Sequence, residues 1–326
     1  MIKTLFHQIG AYKKDSILTP IYAAAEVIME ILIPFVTAAI IDEGIQAGNM
    51  QKVLQYGVIM IVLALLSLFF GIQAGRKAAS ASTGFACNLR ESMYRNIQTF
   101  SFSNIDKFST AGLVTRMTTD VTNMQNAYQM ILRIAVRAPM TLICSMVMCF
   151  IINVKLSLIF LVALCVLAAA LIYIMMHAMP VFQEVFSKYD DLNASVQENV
   201  TAIRVVKAFV REDFENQKFG KAAEVLCKLF VKAESIIVFN APIMMTVIFA
   251  SMLGLSWIGA QLIVAGDLTT GNLMSLFSYV LSIMMSLMML SMIFVMLTMS
   301  TASAKRIVEV LNEKADLTDP QEPLKE

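Results

Sequence analysis

The sequence predicts an all-α membrane protein with six transmembrane helices and two long helical extensions outside the membrane. Hydrophobic residues make up 58% of the 326-residue chain, and the mean hydropathy is +0.71. Only 15% of the residues are charged, whereas soluble domains carry about a quarter. Apolar runs long enough to cross a bilayer, about 20 residues each, occur six times along the chain.

The first predicted span, 16–41, is apolar except for Glu26 and Glu30. Basic residues precede it, and no small-residue cleavage site follows the apolar run. We therefore interpret it as a retained transmembrane helix and not as a removed signal peptide. The remaining spans are predicted at 53–75, 128–152, 156–179, 235–259 and 273–300.

Lysine and arginine are distributed unevenly between the two sides of the predicted membrane. Three precede the first span, six lie at 76–127, eight lie at 184–234 and four follow the last span. The opposite loops hold only Lys52 and Lys155. Cytoplasmic loops carry an excess of these residues, so we expect a multi-pass cell-membrane protein with both termini cytoplasmic.

The two long segments, 76–127 (the first loop) and 184–234 (the second loop), contain no proline and few glycines. In the second loop, apolar residues recur at helical steps of three and four, at Val196, Val200, Ile203, Val206, Val210 and Phe214. A helix rises 1.5 Å per residue, so about 25 residues out and 25 back would reach roughly 35 Å into the cytosol. Two struts of this length predict a contact with a partner beyond the membrane.

Several stretches resemble the transmembrane domain of ABC exporters. FSTAGLVTRMTTDV (108–121) and TAIRVVKAFVREDFE (201–215) are similar to the two intracellular loops of that family. TASAKRIVEVLNE (301–313) resembles the exit of the sixth helix toward a nucleotide-binding domain. IIDEGI (40–45) and ILRIAVRAPM (131–140) resemble one half of a heterodimeric multidrug exporter. The resemblance covers essentially the whole chain.

The resemblance implies that each loop ends in a coupling helix that docks on an ATPase domain, and that helices four and five swap across a dimer. The first coupling helix would fall within 109–115, at Ser109, Thr110, Gly112, Leu113 and Thr115. The second would fall within 208–214, at Ala208, Phe209, Arg211, Glu212, Asp213 and Phe214.

Within the second coupling helix, Phe209 and Phe214 would be apolar knobs that enter a groove of the ATPase domain. The charged residues between them would make polar contacts at the rim of that groove. The alternative is that both aromatic rings pack inside the helices of their own loop.

The chain departs from the family in one respect, because no phosphate-binding G-x-x-x-x-G-K-[ST] motif is present. Its one Gly-Lys pair, Gly220–Lys221, has Glu215 where the motif needs glycine and Ala222 where it needs serine or threonine. We expect residues 1–314 to form the transmembrane domain and 315–326 to begin a linker toward a nucleotide-binding domain outside this chain. A separate ATPase chain is the alternative.

The resemblance implies that this chain holds no cofactor and that ATP and magnesium bind in the nucleotide-binding domain. The complete transporter is expected to be an ATP-hydrolysing translocase, whereas this chain carries no ATPase motif of its own. The expected partners are a second half-transporter, with a heterodimer favoured over a homodimer, and the nucleotide-binding domains. A hydrophobic or amphipathic small molecule and the lipid bilayer complete the set, and nucleic acid is not expected.

Charged residues inside a membrane span are costly and therefore suggest function. Glu26 and Glu30 lie four residues apart on one face of the first helix, and they either attract a cation into a substrate cavity or pair with Arg133 or Arg137. A position near the inner membrane edge is a third interpretation. Asp42, at the outer end of this helix, is a candidate outer-gate residue, although ordinary helix-end acids are common.

The sixth helix is the best candidate for a substrate pocket. Methionines recur on it at steps of three and four, at Met285, Met288, Met292 and Met296. Methionine is flexible and polarizable, which suits promiscuous binding, but such a stripe also occurs on core or lipid-facing surfaces. Gly71 and Gly75 form a G-x-x-x-G pair that predicts close helix packing.

The sequence gives little support for a metal site or for an enzyme inside the membrane. The five cysteines and two histidines show no ligand spacing for a metal, and no catalytic motif indicates an intramembrane enzyme. The sequence thus predicts the permease half of an ATP-driven exporter that moves drugs or other lipophilic substrates by alternating access. The alternative is a six-helix scaffold or adaptor, without a motor, that holds a cytosolic partner.

Overall fold

The computed structural model describes residues 2–315, apart from the side chains of Ile2, Lys3, Ser291, Phe294, Val295, Thr298 and Met299. The predicted linker 315–326 lies outside the described residues except for its first residue. Eleven α-helices occupy the described chain, and no strand occurs in it. They are α1 (Ile2–His7), α2 (Lys13–Ala39), α3 (Met50–Ile97), α4 (Phe102–Phe108), α5 (Thr110–Thr115), α6 (Val121–Ile152), α7 (Val154–Thr201), α8 (Ile203–Ala208), α9 (Glu212–Val238), α10 (Asn240–Ala265) and α11 (Thr270–Asn312).

Within the described part of the chain, six helical stretches are long and apolar enough to cross a membrane, each with a mean hydropathy of at least 2.0 over 18 residues. The prediction of an all-α chain with six membrane-crossing helices is therefore confirmed. The first stretch includes α2, the next four include α3, α6, α7 and α10, and the sixth lies within α11. Helices α3 and α7 continue without a break for 48 residues each, so each runs from a predicted span into the following loop.

The described chain forms two compact units, and the first comprises residues 2–154 together with 258–315. In this unit α2 packs on α3 and α6, and α11 packs on α6 and α2. Two hydroxyl groups of α11 reinforce the contact with α2: Tyr279 donates to the Ile31 carbonyl at 2.9 Å and Ser275 to the Pro34 carbonyl at 2.6 Å. Such bonds satisfy polar groups that lipid cannot hydrogen-bond.

A second core of this unit lies between α3, α4, α5 and the last turns of α11. Its fully buried members include Phe85, Leu89, Met93 and Ile307. The apolar face of the first loop is therefore fixed against the end of the sixth membrane-crossing helix. Leu113 of α5 belongs to the same core, so this packing holds α5 against the end of α11.

The second unit covers residues 155–257 and contains most of α7 and α10, together with α8 and α9. Val185 of α7 packs with Leu226 and Ala233 of α9 in a small core. The predicted span 235–259 is interrupted at Phe239, between α9 and α10. Pro242 explains the interruption, because it offers no N–H to the carbonyl of Val238 four residues earlier.

Candidate functional site

The first loop holds a short helix, α5, inside the predicted coupling segment. Ser109 precedes α5 with φ of 56°, and its hydroxyl accepts a hydrogen bond from the Gly112 N–H at 3.1 Å. Leu113 is buried in the loop core, whereas Thr110 and Thr115 are exposed. Helix α5 is thus anchored by one apolar side chain and presents its other faces outward. Its role as a coupling helix remains a prediction.

The second loop places its short helix, α8, upstream of the predicted segment 208–214. That segment covers the last residue of α8, an exposed turn and the start of α9. Phe209 is 73% exposed and Phe214 is 57% exposed, so neither ring is buried among the helices of its own loop. Arg211 lies with its guanidinium 5.9 Å from the centre of the Phe214 ring, a cation–π distance.

The turn between α8 and α9 carries backbone strain. Val210 adopts φ of 50°, a left-handed conformation that costs a non-glycine residue about 1–2 kcal/mol. Its side chain is 80% exposed, so no burial of this chain offsets the cost. Lys207 and Glu212 close the turn with a 3.0 Å ion pair, and the Glu212 pKa is lowered by its own backbone N–H and by Lys207.

Asp120 is a buried charge that the sequence reasoning missed. It ends a π-helical segment, Arg116–Asp120, between α5 and α6 and is 1% exposed. Its carboxylate accepts hydrogen bonds from Arg306 at 2.7 and 2.5 Å and from Ser303 at 2.9 Å. Burial raises the pKa of Asp120, but the hydrogen bonds from Arg306 and Ser303 outweigh it and hold the pKa below its ordinary value. No local pattern in the sequence marks it, because Asp120 lies in a mostly polar stretch, TRMTTDVTNMQN (115–126).

The predicted acidic pair is brought together with one of the two arginines. Arg137 contacts Glu26 through Nη1 at 2.7 Å and Glu30 through Nη2 at 2.7 Å. Glu26 is almost fully buried, and its second carboxylate oxygen has no hydrogen-bond partner among the described residues. Arg133 lies one turn before Arg137 and lines the same open cleft. The geometry is that of the ion-pair interpretation, with Arg137 as the partner.

The methionines of the sixth helix lie on a different surface. Met285, Met288 and Met292 are more than half exposed, and Met296 is half-buried. The cleft with the acidic pair is lined by residues of α2, α3 and α6, so it does not include these methionines. The predicted substrate residues therefore divide into an ionic cleft and an exposed methionine face.

Asp42 joins the end of the first membrane-crossing helix to the start of the sixth. It lies in a π-helical segment, Ile40–Gln46, and accepts a hydrogen bond from the Gly271 N–H at 2.9 Å. Gln46 of the same segment bonds the Thr270 hydroxyl. Asp42 is therefore a structural partner of α11 in this conformation, and its role in an outer gate remains a prediction.

Nearby, a second acidic residue makes an exposed cluster. Glu43 contacts Lys52 at 2.6 Å and accepts a hydrogen bond from the Tyr56 hydroxyl at 2.8 Å. These two bonds link the π-helical segment to the first turns of α3.

Known proteins resemble this chain over most of its length. Residues 17–288 match the family described as the ABC transporter transmembrane region. An uncharacterized ABC transporter ATP-binding protein of Bacillus subtilis, YfiB, is 32% identical over 291 residues, which is 89% of this chain and 51% of that protein. Another, Mb1304c of Mycobacterium bovis, is 28% identical over 99% of this chain and 56% of that protein.

A more distant relative is an ATP-dependent lipid A-core flippase of Desulfotalea psychrophila, 25% identical over 72% of this chain and 41% of that protein. The chain spans about half the length of the curated relatives YfiB and Mb1304c. The family match covers most of the chain, from within its first membrane-crossing stretch to near the end of the sixth. The chain therefore belongs to the ABC transporter transmembrane region family.

Proposed function

We propose that this chain is the permease half of an ATP-driven exporter that works by alternating access. Family membership and six apolar helices support a transport role. The coupling proposal rests on one observation at the tip of the second loop: Phe209 and Val210 are exposed there on a turn with strained backbone. Exposed aromatic anchors of this kind are enriched at interface hot spots, and strained backbone clusters at functional sites.

The proposed partner of this tip is an ATPase domain that binds ATP and magnesium. The ATPase domain would differ in affinity for the inward-open and outward-open states, because a partner shifts a conformational equilibrium only by differential binding. Helix α5 of the first loop would provide the second contact. Both loops and both termini would then face the cytoplasm, in agreement with the lysine and arginine distribution.

The proposed substrates are hydrophobic or amphipathic small molecules, with multidrug efflux as the specific form. The exposed methionine face of α11 supports this, since flexible methionine surfaces accommodate varied ligands. A second half-transporter is proposed to complete the cavity, preferably a different chain. One relative, from Rickettsia typhi, is named as a putative export ATP-binding/permease protein, which is in line with export.

The docking proposal is tested by Phe209→Ala in the full-length transporter. Loss of the ring should reduce substrate-stimulated ATPase activity several-fold, because truncating an interface hot spot costs about 2 kcal/mol or more. The matched control is Phe230→Ala, which removes an exposed ring from α9 of the same loop. Equal stimulation in both variants would refute Phe209 as a docking contact.

A further inference from the structure

Two layers of polar contacts join the first loop to the last turns of α11. The inner layer is the buried Asp120 carboxylate with Ser303 and Arg306 of α11. Asn123 of α6 extends it, because its amide donates to the Ser303 hydroxyl at 3.3 Å. A buried, multiply hydrogen-bonded charge is costly to separate from its partner, so this layer resists sliding of α6 along α11.

The outer layer fixes the point where the chain leaves α11. The Asn96 amide donates to the carbonyls of Val310 at 2.7 Å and Glu313 at 3.0 Å. The Glu313 carboxylate contacts Lys107 of α4 at 2.8 Å, and the Asn104 amide donates to the Lys314 carbonyl at 3.1 Å. Carbonyls at a helix end lack intrahelical partners, and here the first loop and α3 supply them.

Arg116 connects the two layers. It directly follows α5, and its guanidinium donates to the Arg306 carbonyl at 3.0 Å and contacts Glu309 at 3.1 Å. It also lies 4.7 Å from the centre of the Phe108 ring. Helix α5 is therefore connected to α11 both directly, through Arg116, and along the π-helical segment, through Asp120.

We propose that Asp120 is a positioning residue that makes α5 and the exit of α11 move as one rigid lever. This inference rests on the proposed function, in which α5 contacts an ATPase domain and the chain beyond α11 leads to one. Displacement of the exit by the ATPase domain would then displace α5, and through the continuous helix α6 it would reach the membrane. Asp120 is suited to this role because its ion pair is the buried point of the joint.

The test compares Asp120→Asn with Asp106→Asn in the full-length transporter in proteoliposomes. Asp106 is an exposed acid of α4 in the same loop, so its variant controls for loss of a carboxylate. We expect Asp120→Asn to keep basal ATPase activity within about twofold and to lose substrate stimulation by five- to tenfold, the scale of typical coupling between sites. Asp106→Asn should keep both activities.

A rescue separates positioning from simple misfolding. In a background without native cysteines, Lys107→Cys and Glu313→Cys are combined with Asp120→Asn and joined by a short reducible bis-methanethiosulfonate reagent. If Asp120→Asn loses stimulation because α4 and the exit of α11 no longer move together, the cross-link should restore stimulation. Cleavage of the cross-link by a reductant should abolish stimulation again. Arg306→Lys keeps the positive charge but loses the bidentate contact with Asp120. This variant is also expected to lower substrate stimulation, as Asp120→Asn does.

Two outcomes overturn the lever: unchanged stimulation in Asp120→Asn, or no recovery of stimulation after cross-linking of a variant that still elutes as a folded protein, like the parent. Neither outcome affects the proposed function if Phe209→Ala still reduces stimulation in the same assay. If the parent transporter itself shows no substrate-stimulated ATPase activity, the proposed function fails instead. The two failures are therefore distinguishable.

Discussion

The carboxylate of Glu26 lies in the space that a side chain on Gly71 would occupy. A Cβ atom on Gly71 would be 3.0 Å from Glu26 Oε1 and 3.1 Å from its Cδ. The G-x-x-x-G pattern of Gly71 and Gly75 predicted a close approach of two helices. The structure shows that at Gly71 the close neighbour is this buried acid, so the glycine makes room for an ion pair inside the membrane-crossing bundle.

Substitution Gly71→Ala should therefore lower stability. The added methyl must push the Glu26 carboxylate aside by a few tenths of an ångström and so strain its contact with Arg137, and overpacking of this kind typically costs about 1–3 kcal/mol. The midpoint of thermal unfolding in detergent measures the effect. Gly57→Ala on the same helix is the control, because a Cβ at Gly57 meets nothing within 4 Å. Equal midpoints for the two variants would contradict the assigned contact.

Removal of Arg137 should be more damaging than removal of an exposed arginine. Arg137→Met leaves the buried Glu26 without its 2.7 Å partner, and breaking a buried pair from one side costs about 3–5 kcal/mol. Arg95→Met breaks only an exposed pair with Glu91, which is worth about 0–1 kcal/mol. The free energy of unfolding of each variant, from denaturant titration in micelles, provides the comparison.

A second variant tests whether the charge is the cause. Glu26→Gln combined with Arg137→Met removes both charges, so most of the lost stability should return. A double variant as unstable as Arg137→Met alone would show that packing of the arginine side chain, and not the ion pair, holds this site.

The sequence was sufficient for the six helices because length and hydropathy alone decide which segments can cross a bilayer. It was not sufficient for the choice between Arg133 and Arg137. The two arginines are one turn apart on nearly the same face of one helix, so the position of α6 along α2 selects Arg137 as the partner. Long-range packing of that kind leaves no local signal.

The two predicted coupling segments also differ in how well the sequence alone could locate their helices. Helix α5 lies inside 109–115 because Ser109 and Gly112 form a recognisable N-terminal cap. Helix α8 lies upstream of 208–214 because the turn after it is made by Val210 in a left-handed conformation. A valine gives no turn signal, since glycine or asparagine is expected at such a position, and the boundary could not be read locally.

Gly271→Ala should loosen the contact between α2 and α11. A Cβ at Gly271 would lie 2.4 Å from the Ala38 carbonyl oxygen and 2.7 Å from an Asp42 oxygen, and a backbone atom cannot move aside as a side chain can. We expect a loss of about 2 kcal/mol or more, in the range of strongly overpacked positions. Gly220→Ala lies inside α9, where a Cβ meets nothing within 4 Å, and should melt at or above the parent, because alanine favours a helix more than glycine. Tolerance of Gly271→Ala would place α11 farther from α2 than described.

The Asp120–Arg306 pair should stabilise the fold over most of the pH range. Burial raises the pKa of Asp120, but the hydrogen bonds from Arg306 and Ser303 outweigh burial, so the pKa lies below the ordinary value of 3.8. A carboxyl whose folded pKa is depressed contributes stability above its unfolded pKa and loses it as pH falls through the folded pKa. The stability lost in Asp120→Asn should thus be constant from about pH 8 to 5 and shrink only below pH 3.8.

Thermal unfolding midpoints of the parent, Asp120→Asn and Asp106→Asn across this range measure the dependence. Asp106→Asn should lower the unfolding midpoint little across this range, because Asp106 is exposed and lies outside the buried contact of Asp120 with Arg306. A gap between the parent and Asp120→Asn that already closes near about pH 6 would mean that burial, and not Arg306, sets the charge state of Asp120. In that case the carboxyl would be protonated near neutral pH, and the joint between the first loop and α11 would be a neutral hydrogen bond with little resistance to sliding.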